Sequence, residues 1–172
     1  MGILNITPDS FSDGGFYNST ELAVKRASQL IFDGADILDI GGESTRPGAS
    51  QISIKEELNR IIPVIKEIRK RYKDILISVD TYKSEVAKQS IESGASIIND
   101  ISGLVLDKKM ASVAASLDVP VVLMHLKGTP QNMQENPTYK NLISEIKNFL
   151  IKQAKHAIKS GVKPKNIIID PG

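Results

Sequence analysis

Six polar side chains, Asn5, Asp39, Asp80, Asn99, His125 and Asp170, each stand at or just past the end of a short apolar run rich in Ile, Leu and Val. Asp80 and Asp170 offer two anionic acceptors and Asn99 a mixed donor and acceptor. That set suits a flat heterocycle bearing an amino group beside ring N–H and carbonyl groups. Singly, each has a plainer use, because Asp and Asn also cap the next helix or bend a turn. As a set they read as a site, since burying that many carboxyl and amide groups without a ligand or water costs free energy. His125, ahead of the Gly128-Thr129-Pro130 turn, is either a base or a hydrogen-bonded structural residue, and His156 falls on the solvated side of a helix.

The commoner chemistries have no motif here. The sequence lacks a Walker-type phosphate loop, a dinucleotide glycine fingerprint, a His-Glu-x-x-His zinc helix and a Gly-x-Ser-x-Gly elbow. With no cysteine it has neither disulfides nor thiolate metal sites, which is compatible with a reducing compartment, and the cytoplasm is the simplest location. The 22 Lys and Arg nearly balance 20 Asp and Glu, so no basic excess points to nucleic acid or a membrane surface. No signal peptide or membrane-length apolar run is present, and the expected partners are small molecules.

Such strand-end residues need a scaffold that gathers them. Strands are expected at Gly2 to Ile6, Asp36 to Ile40, Ile75 to Val79, Ser96 to Asp100, Pro120 to Met124 and Asn166 to Asp170, with helical periodicity between them. The second helix places Leu58, Ile61, Ile62, Ile65 and Ile68 on one face, and the fifth places Leu142, Ile146, Phe149, Leu150 and Ala157 on one face. Ser53 with Glu56 reads as a capping box, and Gly34, Gly94 and Gly161 read as helix stops. A weak repeat of helix stop, apolar strand and polar residue recurs at 34–39, 94–99 and 161–170. The pattern is that of repeated βα units on a parallel sheet, in one domain, with long loops at 7–18 and 42–50. Closure into a barrel would bring all six ends to one mouth, whereas in an open sheet only those beside a switch point would meet. The clustering favours the barrel.

Two segments carry a more specific signal. Met-Gly-Ile-Leu-Asn-Ile-Thr-Pro-Asp-Ser-Phe-Ser-Asp-Gly-Gly at 1–15 and Asp-Ile-Gly-Gly-Glu-Ser-Thr-Arg-Pro-Gly-Ala at 39–49 closely resemble the two signature loops of dihydropteroate synthases. Ser-Val-Asp-Thr at 78–81, Ile-Ile-Asn-Asp-Ile at 97–101, Leu-Met-His-Leu-Lys-Gly-Thr-Pro at 123–130 and Asp-Pro-Gly at 170–172 follow in matching order, so the resemblance covers the whole chain.

The resemblance implies a (β/α)8 barrel with a pterin diphosphate in its mouth and p-aminobenzoate beside it. Asp80, Asn99 and Asp170 would hold the pterin ring, with Ile101 and Met124 lining its pocket. Asn5 would bind Mg2+ on the diphosphate. Phe11 and Asp13 in the first loop, and Thr45, Arg46 and Pro47 in the second, would fold over the substrates, Thr45 near the diphosphate and Arg46 and Pro47 near p-aminobenzoate. Asp13 and Asp39 would be the carboxylates serving catalysis, Asp39 by steadying the mouth. A homodimer is implied for the full-length protein.

A barrel of this kind takes roughly 250 residues and eight strands. Residues 1–172 are therefore expected to form one partial pterin-binding barrel domain of about six strands, lacking the last two βα units and the family's later Lys and Arg-x-His contacts. Alone it would be poorly stable and inactive. Two other readings share the Asp and Asn contacts, a pterin-dependent corrinoid methyltransferase and a non-catalytic pterin binder or truncated product. Methyl transfer, however, has no use for the two signature loops.

Overall fold

Helix stops and β-rich runs alternate along the chain, and the computed structural model turns each alternation into a βα unit. It describes residues 1–7, 15–44, 50–128 and 137–172, with 15–19 described by backbone alone. Phe11, Asp13, Thr45, Arg46 and Pro47 lie outside the described residues.

The order is β1 (Gly2–Asn5), α1 (Gly15–Phe32), β2 (Ile37–Gly41), α2 (Ile54–Arg71), β3 (Leu76–Asp80), α3 (Ser84–Glu92), β4 (Ile97–Asp100), α4 (Met110–Leu117), β5 (Val121–Met124), α5 (Leu142–Lys159) and β6 (Ile167–Asp170). Every expected strand lies within one residue of its place. The expected stops also hold, because Gly34, Gly94 and Gly161 take φ of +96°, +116° and +102°, the left-handed region in which glycine has no Cβ penalty. At the start of α2 the Ser53 hydroxyl accepts from the Glu56 amide at 3.1 Å, while the Glu56 carboxylate turns to Arg60 and leaves the box half made.

All six strands are parallel and paired in chain order, β1-β2-β3-β4-β5-β6. That order separates the two candidate architectures. An open doubly wound sheet reverses direction at a switch point, whereas right-handed crossovers that always step the same way put every helix on one face, as in a barrel wall. The helix-facing side is the core. Leu38, Ile40, Ile77, Val79, Ile98, Val121 and Leu123 are fully buried against apolar stripes that include Val24, Ile61, Ile65, Val86 and Met110. Leu142, expected on the buried stripe of α5, is exposed in its first turn, while Leu150 and Ala157 further along are buried.

Period-two alternation sends the other strand side chains to the opposite, inner face. Registry makes this concrete: Ile3 pairs with Asp39 and Asp39 with Ser78, Gly41 with Asp80 and Asp80 with Asn99, Asn99 with Val122, and Met124 with Asp170. Asn5, Asp39, Asp80, Asn99 and Asp170 thus share the face opposite the helix-packed core.

Candidate functional site

The inner face is built from the middle outward. Asp39 sits in the interior of β2, not at its end, and is buried; the Asn99 amide donates to its Oδ2 at 3.1 Å across β3. Its other oxygen, and the hydroxyl of Ser78 beside it in register, are buried with no protein partner. Buried polar atoms are nearly always paired in native structures, so two such atoms on adjacent strands mark a surface shaped for something else to bond.

Asp80 closes β3 one residue pair above this. A Cβ added to Gly41 would lie 3.4 Å from Asp80 Oδ2 and 3.5 Å from Asn5 Oδ1, which sets the Asn5 amide and the Asp80 carboxyl on either side of that glycine. Four of the sequence-selected residues, Asn5, Asp39, Asp80 and Asn99, therefore occupy one patch across β1 to β4.

Burial pushes the Asp80 carboxyl up to about 8, and the charges of Asp39, Glu57, Asp100 and Glu43 push in the same direction. At neutral pH the unliganded group is therefore protonated, in place of the anion expected from its residue type. A neutral carboxyl can donate as well as accept, and a ligand rich in N–H donors would favour its ionised form.

Met124 and Asp170 pair on the same face, one step above the row that runs through Asp80, Asn99, Val122 and Ile168. Both are half-buried, and Asp170 accepts the Gly172 amide at 2.9 Å. Asp170 lies three strands from Asp80, roughly 14 Å measured along the sheet, so it faces the patch without belonging to it. Ile101 is buried in the turn after β4. That turn is held by Asp100, whose carboxylate accepts from Ser102 N, Ser102 Oγ and Leu104 N at 2.7 to 3.0 Å.

His125 follows β5 with its ring edge-on to Phe149 at 5.1 Å and tilted against Tyr139 at 5.9 Å. Burial first and Lys127 second hold its imidazole below the usual range. Its ring contacts are to aromatic side chains, and a lowered imidazole is compatible with either of the two uses open to it. His156 is exposed on α5, as expected.

Sequence reasoning missed one cluster on this rim. Lys83 Nζ donates to Glu43 Oε2 at 2.6 Å, to Glu57 Oε2 at 2.6 Å and to the Ile52 carbonyl at 2.8 Å, while Tyr82 Oη donates to Glu43 Oε1 at 2.8 Å. Burial works to raise the Glu43 carboxyl, but the bonds from Lys83, Ile52 and Tyr82 outweigh it and hold it low. Burial and the neighbouring Glu43 push the Tyr82 phenol upward. A signal was available: Glu57 falls on the same helical stripe as Ile61, Val64 and Ile68, and a carboxylate there requires a buried cation.

Among the described residues, no three His, Cys, Asp or Glu side chains converge to hold a metal. No helix among them is long and apolar enough to cross a membrane.

A family model for pterin binding enzymes matches residues 1–172. The chain is 54% identical over 172 residues to a dihydropteroate synthase of Bacillus subtilis, covering all of this chain and 58% of that protein. A Clostridium difficile dihydropteroate synthase solved in the presence of pteroic acid superposes with a TM-score of 0.92 at 45% identity, covering all of this chain and 63% of that one. The Xanthomonas albilineans enzyme solved with 4-aminobenzoic acid gives 0.91 at 43%, covering 60% of its chain. The chain thus spans about three fifths of the length of these relatives. Matched along its whole length, with its polar strand ends gathered on one inner face, the chain belongs to the pterin binding enzyme family.

Proposed function

We propose that the full-length protein is a dihydropteroate synthase. It condenses 6-hydroxymethyl-7,8-dihydropterin diphosphate with p-aminobenzoate to give 7,8-dihydropteroate and diphosphate. The observation that carries this reading is the patch formed by the bonded Asn99 and Asp39, the partnerless Ser78 hydroxyl and the Asp80 carboxyl, in a chain of a pterin-binding family. A pterin edge presents an amino group, a ring N–H and a carbonyl in one plane, and this patch supplies acceptors and an amide in matching kind.

In this reading Asp80, Asn99 and Asp170 hold the ring, and Ile101 and Met124 form apolar walls. Phe11 and Asp13, and Thr45, Arg46 and Pro47, act from the two signature loops. The reaction breaks the C–O bond between the pterin methylene and diphosphate. It forms a C–N bond to the arylamine, which then loses a proton. Positive charge developing on the methylene is stabilised by nearby carboxylates, Asp39 among them, and no protein nucleophile is required. Water is a competing nucleophile, so its exclusion is the main task left to the loops.

The donor set fits an ion carried on the substrate better than a resident one. Asn5 offers a single amide oxygen, and Mg2+ commonly takes one or two protein oxygens together with phosphate and water. When bound, Mg2+ would supply charge neutralisation to the departing diphosphate. A cytoplasmic homodimer is the form this family resemblance supports.

The test is Mg2+-dependent dihydropteroate formation by the protein at its natural full length, with Asp80→Ala as control. Product that vanishes in the control and falls with a sulfonamide competitor is the expected result. A folded protein that binds the pterin but forms no product overturns the synthase reading in favour of a methyltransferase or a non-catalytic binder.

A further inference from the structure

We propose that Ser78 is a positioning residue: its hydroxyl and Asp39 Oδ1 hold one bound water between them, which locks the Asp39 carboxyl and, through it, the Asn99 amide. That the amide then meets a pterin rests on the dihydropteroate synthase reading; the shared water does not.

The inner face is layered by register. Asn5, Gly41, Asp80, Asn99 and Val122 run across it in one row, and Ile3, Asp39, Ser78 and Ile97 form the row beneath. The rows are two residues apart, roughly 6.6 Å along a strand. The lower row therefore lies below the atoms that a ring held by Asp80 and Asn99 would touch. Both of its polar members are enclosed, Ser78 at 0% exposure and Asp39 at 6%, and the isoleucines on either side of them offer no hydrogen bond.

Asp39 joins the two rows, since its Oδ2 accepts the Asn99 amide at 3.1 Å. Asp39 Oδ1 and Ser78 Oγ bond neither each other nor any other protein group, although they stand in register on adjacent strands with backbones roughly 4.8 Å apart. Among the described residues, Ser90 Oγ on α3 is the one other buried side-chain atom in this condition. An acceptor and a hydroxyl side by side, both shut off from solvent, make a site for a molecule small enough to donate to one and bond the other.

The consequence follows from torsional freedom. A carboxyl turns about a broad torsion, and a bond at one oxygen leaves that turn soft. A second bond at Oδ1 fixes its plane, which keeps Oδ2 beneath Asn99 and the Asn99 NH2 directed down to it. The Asn99 side-chain carbonyl is then left to face the upper row as an acceptor. With Asp39 unlocked, the amide is free to turn and set its own N–H groups against a ring edge rich in N–H donors. Ser78 thus serves the patch indirectly, by fixing which end of Asn99 a ligand meets.

The experiment uses the protein at its natural full length. A high-resolution crystal structure of the unliganded wild type should show one ordered water within about 3 Å of both atoms. No ordered atom there, a direct Ser78–Asp39 bond, or another side chain in that place overturns the bridge. Ser78→Ala removes the hydroxyl and Ser78→Thr restores it. The dissociation constant for the pterin diphosphate, read by calorimetry, should rise about tenfold in Ser78→Ala, the weight of roughly one hydrogen bond. In Ser78→Thr it should return to within about threefold of wild type. Crystals of Ser78→Ala should show the Asp39 carboxyl turned away from Asn99. A folded Ser78→Ala that only melts lower, with Asp39 in place and pterin affinity unchanged, overturns the positioning role. A wild type that binds the pterin without turnover sinks the synthase reading alone, and the dissociation constants still decide. One that binds no pterin sinks the pterin reading, and the Asp39 rotamer in Ser78→Ala decides the positioning by itself.

Discussion

Asp80 answers to two opposed demands. Burial and four neighbouring carboxyls favour its neutral form, whereas a pterin presenting N–H donors favours the anion. Binding at pH 7 should therefore release close to one proton. Apparent pterin affinity should rise about tenfold per pH unit below the Asp80 pKa of about 8, and level off above it. Calorimetry in buffers of different ionisation enthalpy measures this directly, and buffer-independent heats would remove Asp80 from the contact. The same shift bears on stability. The unfolded carboxyl titrates near 3.8 and the folded one near 8, so between these values the folded chain holds a proton that unfolding releases. Stability contributed by this group is present at low pH and is lost by up to about 1.4 kcal/mol per unit as pH rises through that window. Asp80→Asn should abolish pterin binding yet melt higher than wild type, by a margin that widens from pH 5 to pH 8. Residue type and spacing pointed to Asp80, but its protonation state was not legible, because it depends first on burial and then on the charges of Asp39, Glu57, Asp100 and Glu43, which the fold brings in from other parts of the chain. Glu57 was legible in principle, as a charge on an apolar stripe.

At the scale of elements, strands and helices could be read closely because each apolar run is short and three of the five helices stop at a glycine, Gly34, Gly94 and Gly161. The turn after β4 was less open to reading. Gly103 and Leu104 both take positive φ, +59° and +69°, and nothing about a leucine announces this. The cause is the buried Asp100, whose carboxylate gathers the Ser102 and Leu104 amides and bends the backbone around itself. Gly103 also lies against the end of β5, where an added Cβ would come within 2.7 Å of the Met124 carbonyl. Gly103→Ala should therefore combine left-handed strain with a backbone clash and lose about 2 to 3 kcal/mol in urea unfolding. Because Ile101 and Met124 flank this turn, pterin affinity should fall alongside. A variant as stable as wild type would show that the turn has room to relax, and would weaken the assignment of Ile101 and Met124 as fixed pocket walls.

Over the whole molecule, the consecutive strand order gives the sheet two outer strands, β1 and β6, and their apolar side chains are open. Ile3 is 65% exposed, Ile168 43% and Ile169 48%, against 0% for the central Leu38, Ile77 and Ile98. Unpaired parallel edges with apolar flanks are templates for pairing with another chain. The 172-residue chain alone should therefore associate as its concentration rises, seen as loading-dependent sedimentation. A chain extended to the length of its relatives, with both edges covered, should go no further than the proposed homodimer. Ile168→Lys separates edge pairing from general instability because its effect should change sign between the two. In the 172-residue chain Ile168 is part-exposed on an outer strand, and a lysine there should suppress association at little cost to stability. In the extended chain the same position would face a closed interior, where an unpaired lysine should cost several kcal/mol. Association that persists in the short Ile168→Lys chain would locate the sticky surface elsewhere, with the exposed Ile151 and Ile158 of α5 the next place to look.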